Sequence, residues 1–191
     1  MGLELSTAAT IRSFIGIPLT ESGRQLCETL AASMKSRVPS SVRWVAGDNF
    51  HITLLFLGNQ SPVVLDALAS RLSLTLAQQP SFDLHTKHIS TFPDAKSGIL
   101  ALELSPCAEL LLLRDKIQQA ALKTGIRDFD SHSSFRPHIT LGRFRSRTET
   151  GICNTKAACQ FRVQSVALFE SVTRAGGAQY RTRFKFDFYS D

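Results

Sequence analysis

Along the chain the spacing of hydrophobic positions switches between two periods, and the switches mark the elements. Ile11 to Leu19 is a run of β-branched and aromatic residues with Pro18 near its end, which predicts a strand stopped by a turn. Thr20 is placed to cap the segment Glu21 to Lys35, where Leu26, Leu30 and Met34 recur at helical spacing, and the stretch Val38 to Ser41 breaks that helix. Val42 to Val45 and His51 to Leu57 read as two strands joined by a turn at Gly47-Asp48-Asn49, with Gly58-Asn59 ending the second. Ser61-Pro62 opens another helix over Val63 to Ala77, because proline suits a first helical position.

Phe82 to His88 and Ile99 to Leu104 alternate as half-buried strands do, and Ala108 to Lys123 reads as a long helix terminated by Gly125. A polar loop, Asp128 to Ser134, leads into strands over Pro137 to Phe144, Phe161 to Ser171 and Tyr180 to Phe188. In the last of these, period two sets Phe184, Phe186 and Phe188 on one face and Arg183, Lys185 and Asp187 on the other. The order predicts an α+β fold that nearly repeats, with two lobes around a groove. Residues 1–10 are small and polar without period and are expected to form a flexible leader, while 11–191 contains no linker that would split it.

With 191 residues, 43% of them hydrophobic, the chain is long enough to bury one substantial core or two small lobes that share a cleft. No apolar run approaches the ~20 residues of a membrane-spanning helix. The N-terminus lacks the pattern of a signal peptide, so no membrane association and a cytoplasmic location are expected. Cys27, Cys107, Cys153 and Cys159 are scattered and form no C-x-x-C pair, which argues against structural zinc or a redox motif. The formal charge of +6 favours an anionic partner. Much of it lies between 136 and 185, where Arg136, Arg143, Arg145, Arg147, Lys156, Arg162, Arg174, Arg181, Arg183 and Lys185 face only Glu149 and Glu170. Such a block suits one wall of a nucleic-acid cleft.

The tetrapeptide His-Ile-Thr-Leu occurs twice, at 51–54 and 138–141. Each copy lies on an expected strand behind an aromatic-containing approach, Asn49-Phe50 and Phe135-Arg136-Pro137. Period two puts His51 and Thr53 on one face, with Ile52 and Leu54 anchoring the other, and His138 and Thr140 repeat the pattern over Ile139 and Leu141. If the lobes are related by a pseudo-two-fold axis, two imidazoles and two hydroxyls converge across the groove. A phosphoryl centre attacked in line needs a base on one side and an acid on the other, and imidazole titrates in the useful range. The threonines would donate to non-bridging oxygens. His85 and His88, three apart and so expected on opposite faces, and His132 in its Ser-rich loop read as surface or structural residues. Neither tetrapeptide has an acidic residue beside it on its own strand face, so no metal and no cofactor are expected.

These residues resemble the 2H phosphoesterases, named for two His-x-Thr-x motifs. The closest likeness is to the bacterial and archaeal RNA 2′,3′-cyclic phosphodiesterases, also called 2′-5′ RNA ligase-like proteins. The likeness runs from Arg12 to the C-terminus: Arg-Ser-Phe-Ile-Gly-Ile, Arg-Trp-Val, Asn-Phe-His-Ile-Thr-Leu-Leu-Phe-Leu-Gly, Phe-Arg-Pro-His-Ile-Thr-Leu-Gly-Arg and a late Leu-Phe-Glu-Ser. It implies a bilobal fold in which two antiparallel sheets line a V-shaped cleft, with helices outside. It also implies hydrolysis of RNA 2′,3′-cyclic phosphate ends to 2′-phosphates, with His51 as proton donor, His138 as proton acceptor, and Thr53 and Thr140 holding the phosphate; a monomer is expected. Slow, reversible 2′-5′ joining of RNA is implied as well. Arg136 and Arg143 flank the second motif as candidate phosphate contacts. On a strand Arg136 shares the face of His138 and Thr140, whereas Arg143 does so only if the strand bends after Gly142. Phe14 and Phe50 are candidates to stack a base. Two other readings stay open: a phosphodiesterase acting on small nucleotides such as cyclic ADP-ribose phosphate or 2′-5′ oligoadenylate, and a non-catalytic binder of RNA ends.

Overall fold

The computed structural model describes residues 9–94, 97–127, 129, 135–145, 154–174 and 177–189. The expected leader falls almost wholly outside these, as do His132, Arg147, Cys153 and, except for Phe129, the polar loop of 128–134. In chain order the elements are β1 (Ile11–Pro18), α1 (Glu21–Met34), β2 (Arg43–Trp44), a short 3-10 turn (Gly47–Asn49) and β3 (His51–Gln60). Then come α2 (Pro62–Thr75), β4 (Phe82–Phe92), β5 (Ile99–Leu104), α3 (Ala108–Lys123) and β6 (His138–Arg143). The chain closes with β7 (Asn154–Lys156), β8 (Gln160–Val163), β9 (Ser165–Arg174) and β10 (Gly177–Asp187).

The helix starts follow the capping logic of the sequence. Thr20 Oγ1 accepts from the Gly23 amide at 3.2 Å, and Ser61 Oγ accepts from Val64, with Pro62 opening α2. Beyond α3, Gly125 adopts φ +87°, the left-handed region that a side chain resists.

The fold is α+β, with one antiparallel sheet in the order β10-β9-β1-β3-β6-β5-β4-β7, β2 added on β6 and β8 on β4. The two expected sheets are therefore continuous, but only just. β3 and β6 share a single register pair, Ile52 with Ile139, and on either side of it the half-sheets diverge. Both isoleucines are fully buried, and they belong to a core that includes Cys27 and Met34 of α1, Leu65, Leu68 and Leu72 of α2, and Leu110, Leu113 and Ile117 of α3. The helices thus cover one face of the sheet, and the histidines lie on the opposite face, which no described helix covers.

Three expectations are corrected. β2 does not form a hairpin with β3; Arg43 and Trp44 pair with Arg143 and Gly142 of β6, a long-range contact that the local turn signal does not reveal. β3 does not end at Gly58 but runs to Gln60, with Gly58 absorbing a bulge at φ +69°. In β4 an extra residue, Lys87, lies between the pairs Thr86 with Leu104 and His88 with Glu103. That shift places His85 and His88 on the same outer face rather than on opposite ones.

Candidate active site

The two His-Ile-Thr-Leu segments occupy equivalent places in the two half-sheets. On β3, His51 pairs with Pro18 of β1 and Thr53 with Gly16. On β6, His138 pairs with Glu103 of β5 and Thr140 with Ala101. Each motif is followed by a bulge, because Leu54 in one strand and Leu141 in the other have no register partner. Both strands then show the same burial sequence, with Leu54-Leu55 and Leu141-Gly142 buried and the next residue exposed. The residue five beyond each histidine is thereby returned to the histidine face. In β3 that residue is Phe56, opposite Phe14; in β6 it is Arg143, opposite Ile99. The bulge thus supplies the bend that Arg143 needs to join His138 and Thr140.

Both imidazoles are held alike. Nδ1 of His51 donates to the Asn49 carbonyl at 2.7 Å, and Nδ1 of His138 donates to the Arg136 carbonyl at 2.9 Å. A carbonyl only accepts, so each ring carries a proton on Nδ1 and directs Nε2 elsewhere. The hydroxyl of Thr53 lies 3.1 Å from Nε2 of His51. The surroundings differ. His51 sits among Phe14, Phe169 and Tyr180, with ring centroids 4.8, 5.8 and 4.9 Å away. His138 stacks on Phe92 at 3.9 Å, and Arg136 lies over that same Phe92 ring at 4.7 Å.

Burial pushes the pKa of both histidines below the ordinary imidazole value, because the charged form loses water. The Asn49 carbonyl opposes that shift at His51, while the charges of His138 and Arg143 add to it. At His138 the Arg136 carbonyl and the Glu103 carboxylate oppose it, and Arg136 and Arg143 add to it. Arg143 therefore acts on both rings from its place at the end of β6.

Glu103 was not foreseen as part of the site. It is 9% exposed and accepts hydrogen bonds from Ser90 Oγ and from Arg136 Nη2 at 2.8 Å, with His88 Nε2 at 3.2 Å. Burial alone would raise its pKa, but those hydrogen bonds and the neighbouring charges hold it below the usual carboxylate value. The available signal was a lone carboxylate within the otherwise apolar Ile99 to Leu104. Phe56 was also missed, although it is 65% exposed on the cleft face of a strand that otherwise buries its large side chains.

The other candidates are enclosed or already engaged by neighbours. Phe50 is 4% exposed and packs in the main core, so it offers no face for a base. Phe14 is 3% exposed and stacked on Phe169 at 4.9 Å; it supports His51 rather than a ligand. Both Arg136 amino groups are engaged, Nη1 by the Pro93 carbonyl at 2.8 Å and Nη2 by Glu103. Among the described residues no group of three or more His, Cys, Asp or Glu side chains is placed to hold a metal ion, and no described helix is long and apolar enough to cross a membrane.

Residues 25–174, which span both motifs, match the family model described as the 2'-5' RNA ligase superfamily. The chain belongs to that superfamily. Proteins similar to this 2'-5' RNA ligase superfamily member include an RNA 2',3'-cyclic phosphodiesterase of Geobacillus stearothermophilus, 29% identical over 68% of this chain and 41% of that one. The chain thus spans less than half the length of that relative. A protein of the same description from Escherichia coli strain K12 is 35% identical over 59% of this chain and 61% of its own. The crystal structure of E. coli LigT complexed with 3'-AMP superposes with a TM-score of 0.75 at 25% identity, covering 94% of this chain and 98% of that chain.

Proposed function

We propose that this 2'-5' RNA ligase superfamily member hydrolyses 2′,3′-cyclic phosphate ends of RNA to 2′-phosphates, with His51 and His138 as acid and base. One observation carries the reading. Two His-x-Thr pairs stand on the open face of pseudo-equivalent strands, joined at Ile52 and Ile139, with each imidazole oriented through Nδ1 by a carbonyl two residues upstream.

In the step proposed, Nε2 of His138 takes a proton from water as the water oxygen bonds to phosphorus. The P–O3′ bond breaks, and His51 gives its proton to O3′, leaving a 2′-phosphate and a free 3′-hydroxyl. Glu103 beside His138 stabilises the imidazolium formed there. Burial among aromatic rings makes the His51 imidazolium a ready donor. Thr53, Thr140 and Arg143 neutralise charge on the non-bridging oxygens, a role that needs fixed donors rather than titrating ones. With an RNA 5′-hydroxyl in place of water, the same step forms a 2′-5′ linkage. The relatives named as RNA 2',3'-cyclic phosphodiesterases, and the 3'-AMP held by LigT, support this substrate class.

The test is incubation of the purified protein, with excess chelator, with a short RNA ending in a 2′,3′-cyclic phosphate. The expected product is the 2′-phosphate, identified by chromatography against 2′- and 3′-phosphate standards. His51→Ala and His138→Ala are each expected to lower turnover ~10²–10⁴-fold while the fold survives. Unchanged turnover in both variants would remove the acid-base assignment.

A further inference from the structure

Arg43 and Arg143 stand directly opposite each other on the β2–β6 ladder. Residues paired across an antiparallel ladder project to the same face, so Arg43 lies on the face that carries His138, Thr140 and Arg143. Two like charges at such a pair are unfavourable. Among the described residues no ion pair includes Arg43 or Arg143, whereas Arg24, Arg136, Arg162 and Arg183 are each paired with a carboxylate. Both of the opposed arginines are exposed.

Arg43 also touches the other half-sheet. Its guanidinium packs against Gly177, where a Cβ would fall 1.6 Å from Nη2. Gly177 adopts φ +117° at the start of β10, a conformation that also excludes side chains. Arg174 is the register partner of Gly177, so a third cation begins at the same corner. The guanidinium of Arg43 thus spans from the β6 half-sheet to the β9–β10 hairpin of the other half-sheet. Arg143, whose charge reaches both histidines, is the inner member of the pair; Arg43 lies one strand further from the β6–β5 ladder.

We infer that Arg43, next to the Arg143 that serves the cyclic phosphate, forms a second phosphate subsite that binds the phosphodiester on the 5′ side of the terminal nucleotide. The inference rests on the function proposed above and extends it: the substrate is an end of an RNA chain at least two nucleotides long, not an isolated nucleoside cyclic phosphate. A guanidinium suits this task because its fork meets two phosphate oxygens at once. Phosphates bound at the two arginines also offset the repulsion that the register imposes.

Three substrates separate the possibilities: adenosine 2′,3′-cyclic phosphate with a 5′-hydroxyl, the same nucleotide with a 5′-phosphate, and a diadenylate ending in a 2′,3′-cyclic phosphate. For the wild-type protein kcat/KM is expected to be about 10-fold higher for the diadenylate than for the 5′-hydroxyl compound, a factor worth about 1.4 kcal/mol. Arg43→Gln is expected to collapse that ratio towards one, and Arg43→Lys, which keeps the charge but not the fork, to leave an intermediate ratio. The slope of log kcat/KM against log salt for the diadenylate is expected to become shallower by about 0.7 in Arg43→Gln, the value for one phosphate contact on a single strand. A ratio of one in the wild type, or a ratio that survives Arg43→Gln, overturns the subsite. A preference for the 5′-monophosphate over the diadenylate assigns the corner to a terminal phosphate and overturns the chain-end reading. If the wild type turns over none of the three, the proposed hydrolysis itself fails and the subsite falls with it.

Discussion

Glu103 lies directly opposite His138 on the β5–β6 ladder, at the register position that Pro18 holds opposite His51 in the other half-sheet. The near-symmetry of the motifs is therefore broken by a carboxylate on one side. Glu103→Gln removes the negative charge that supports the protonated form of His138. The His138 titration, followed by NMR, is expected to move to lower pH, while that of His51 moves less. A His138 titration unchanged in the variant would show that the carboxylate acts only on Arg136. The stability cost is expected to stay near or below about 1 kcal/mol, because the Arg136 guanidinium is substantially exposed and solvent screens the pair.

Both histidines are shifted the same way, and the consequence for activity has a definite sign. The base must be neutral and the acid protonated, so kcat/KM rises with pH through one histidine pKa and falls through the other. Since burial lowers both in the free protein, the bell should be centred on the acid side of about pH 6.5. The kcat profile should lie higher, because the bound phosphate anion stabilises both imidazolium forms. An optimum of kcat/KM above about pH 7 would contradict the burial argument.

Gly16 faces Thr53, and a Cβ there would come within 2.9 Å of the Ile52 carbonyl and 3.4 Å of Phe14 and Phe169. The oxygen is backbone in the strand that carries His51, so it cannot rotate away. Gly16→Ala is expected to cost about 1–3 kcal/mol in urea unfolding. Turnover should fall too, because relief of the clash displaces β3. Full activity with unchanged stability would show that β1 and β3 separate freely.

Phe56 occupies in β3 the place that Arg143 occupies in β6, exposed on the cleft face behind the bulge. Its ring, tilted against Phe14 at 6.1 Å and otherwise largely exposed, is placed to meet a nucleobase, as aromatic faces meet unpaired RNA bases. Phe56→Ala is expected to raise KM for an RNA end several-fold, with stability changed by no more than about 0.5 kcal/mol. A loss of several kcal/mol would instead place the ring in the core.

Much of this was legible in the chain because it depends on local period. The helices capped by Thr20 and Ser61, the strand Ile99 to Leu104, and the pairing of His51 with Thr53 and His138 with Thr140 follow from spacing and turn chemistry alone. The duplicated tetrapeptide also pointed to a two-sided site, and with the flanking motifs to the 2H phosphoesterases. What the sequence left open depends on which strands meet. Alternation counts residues as though no strand bulged, so it left the face of Arg143 to depend on a bend it could not locate and separated His85 from His88. A turn signal at residues 47–49 says nothing about β2 crossing to β6, which sets Arg43 beside Arg143. Arg136 and Phe50 looked available because adjacency to a motif is a property of the chain, whereas partners such as Glu103 and the surrounding core come from distant segments. The sequence by itself determined the elements and the chemical groups; long-range pairing and its irregularities decided which of those groups share a face.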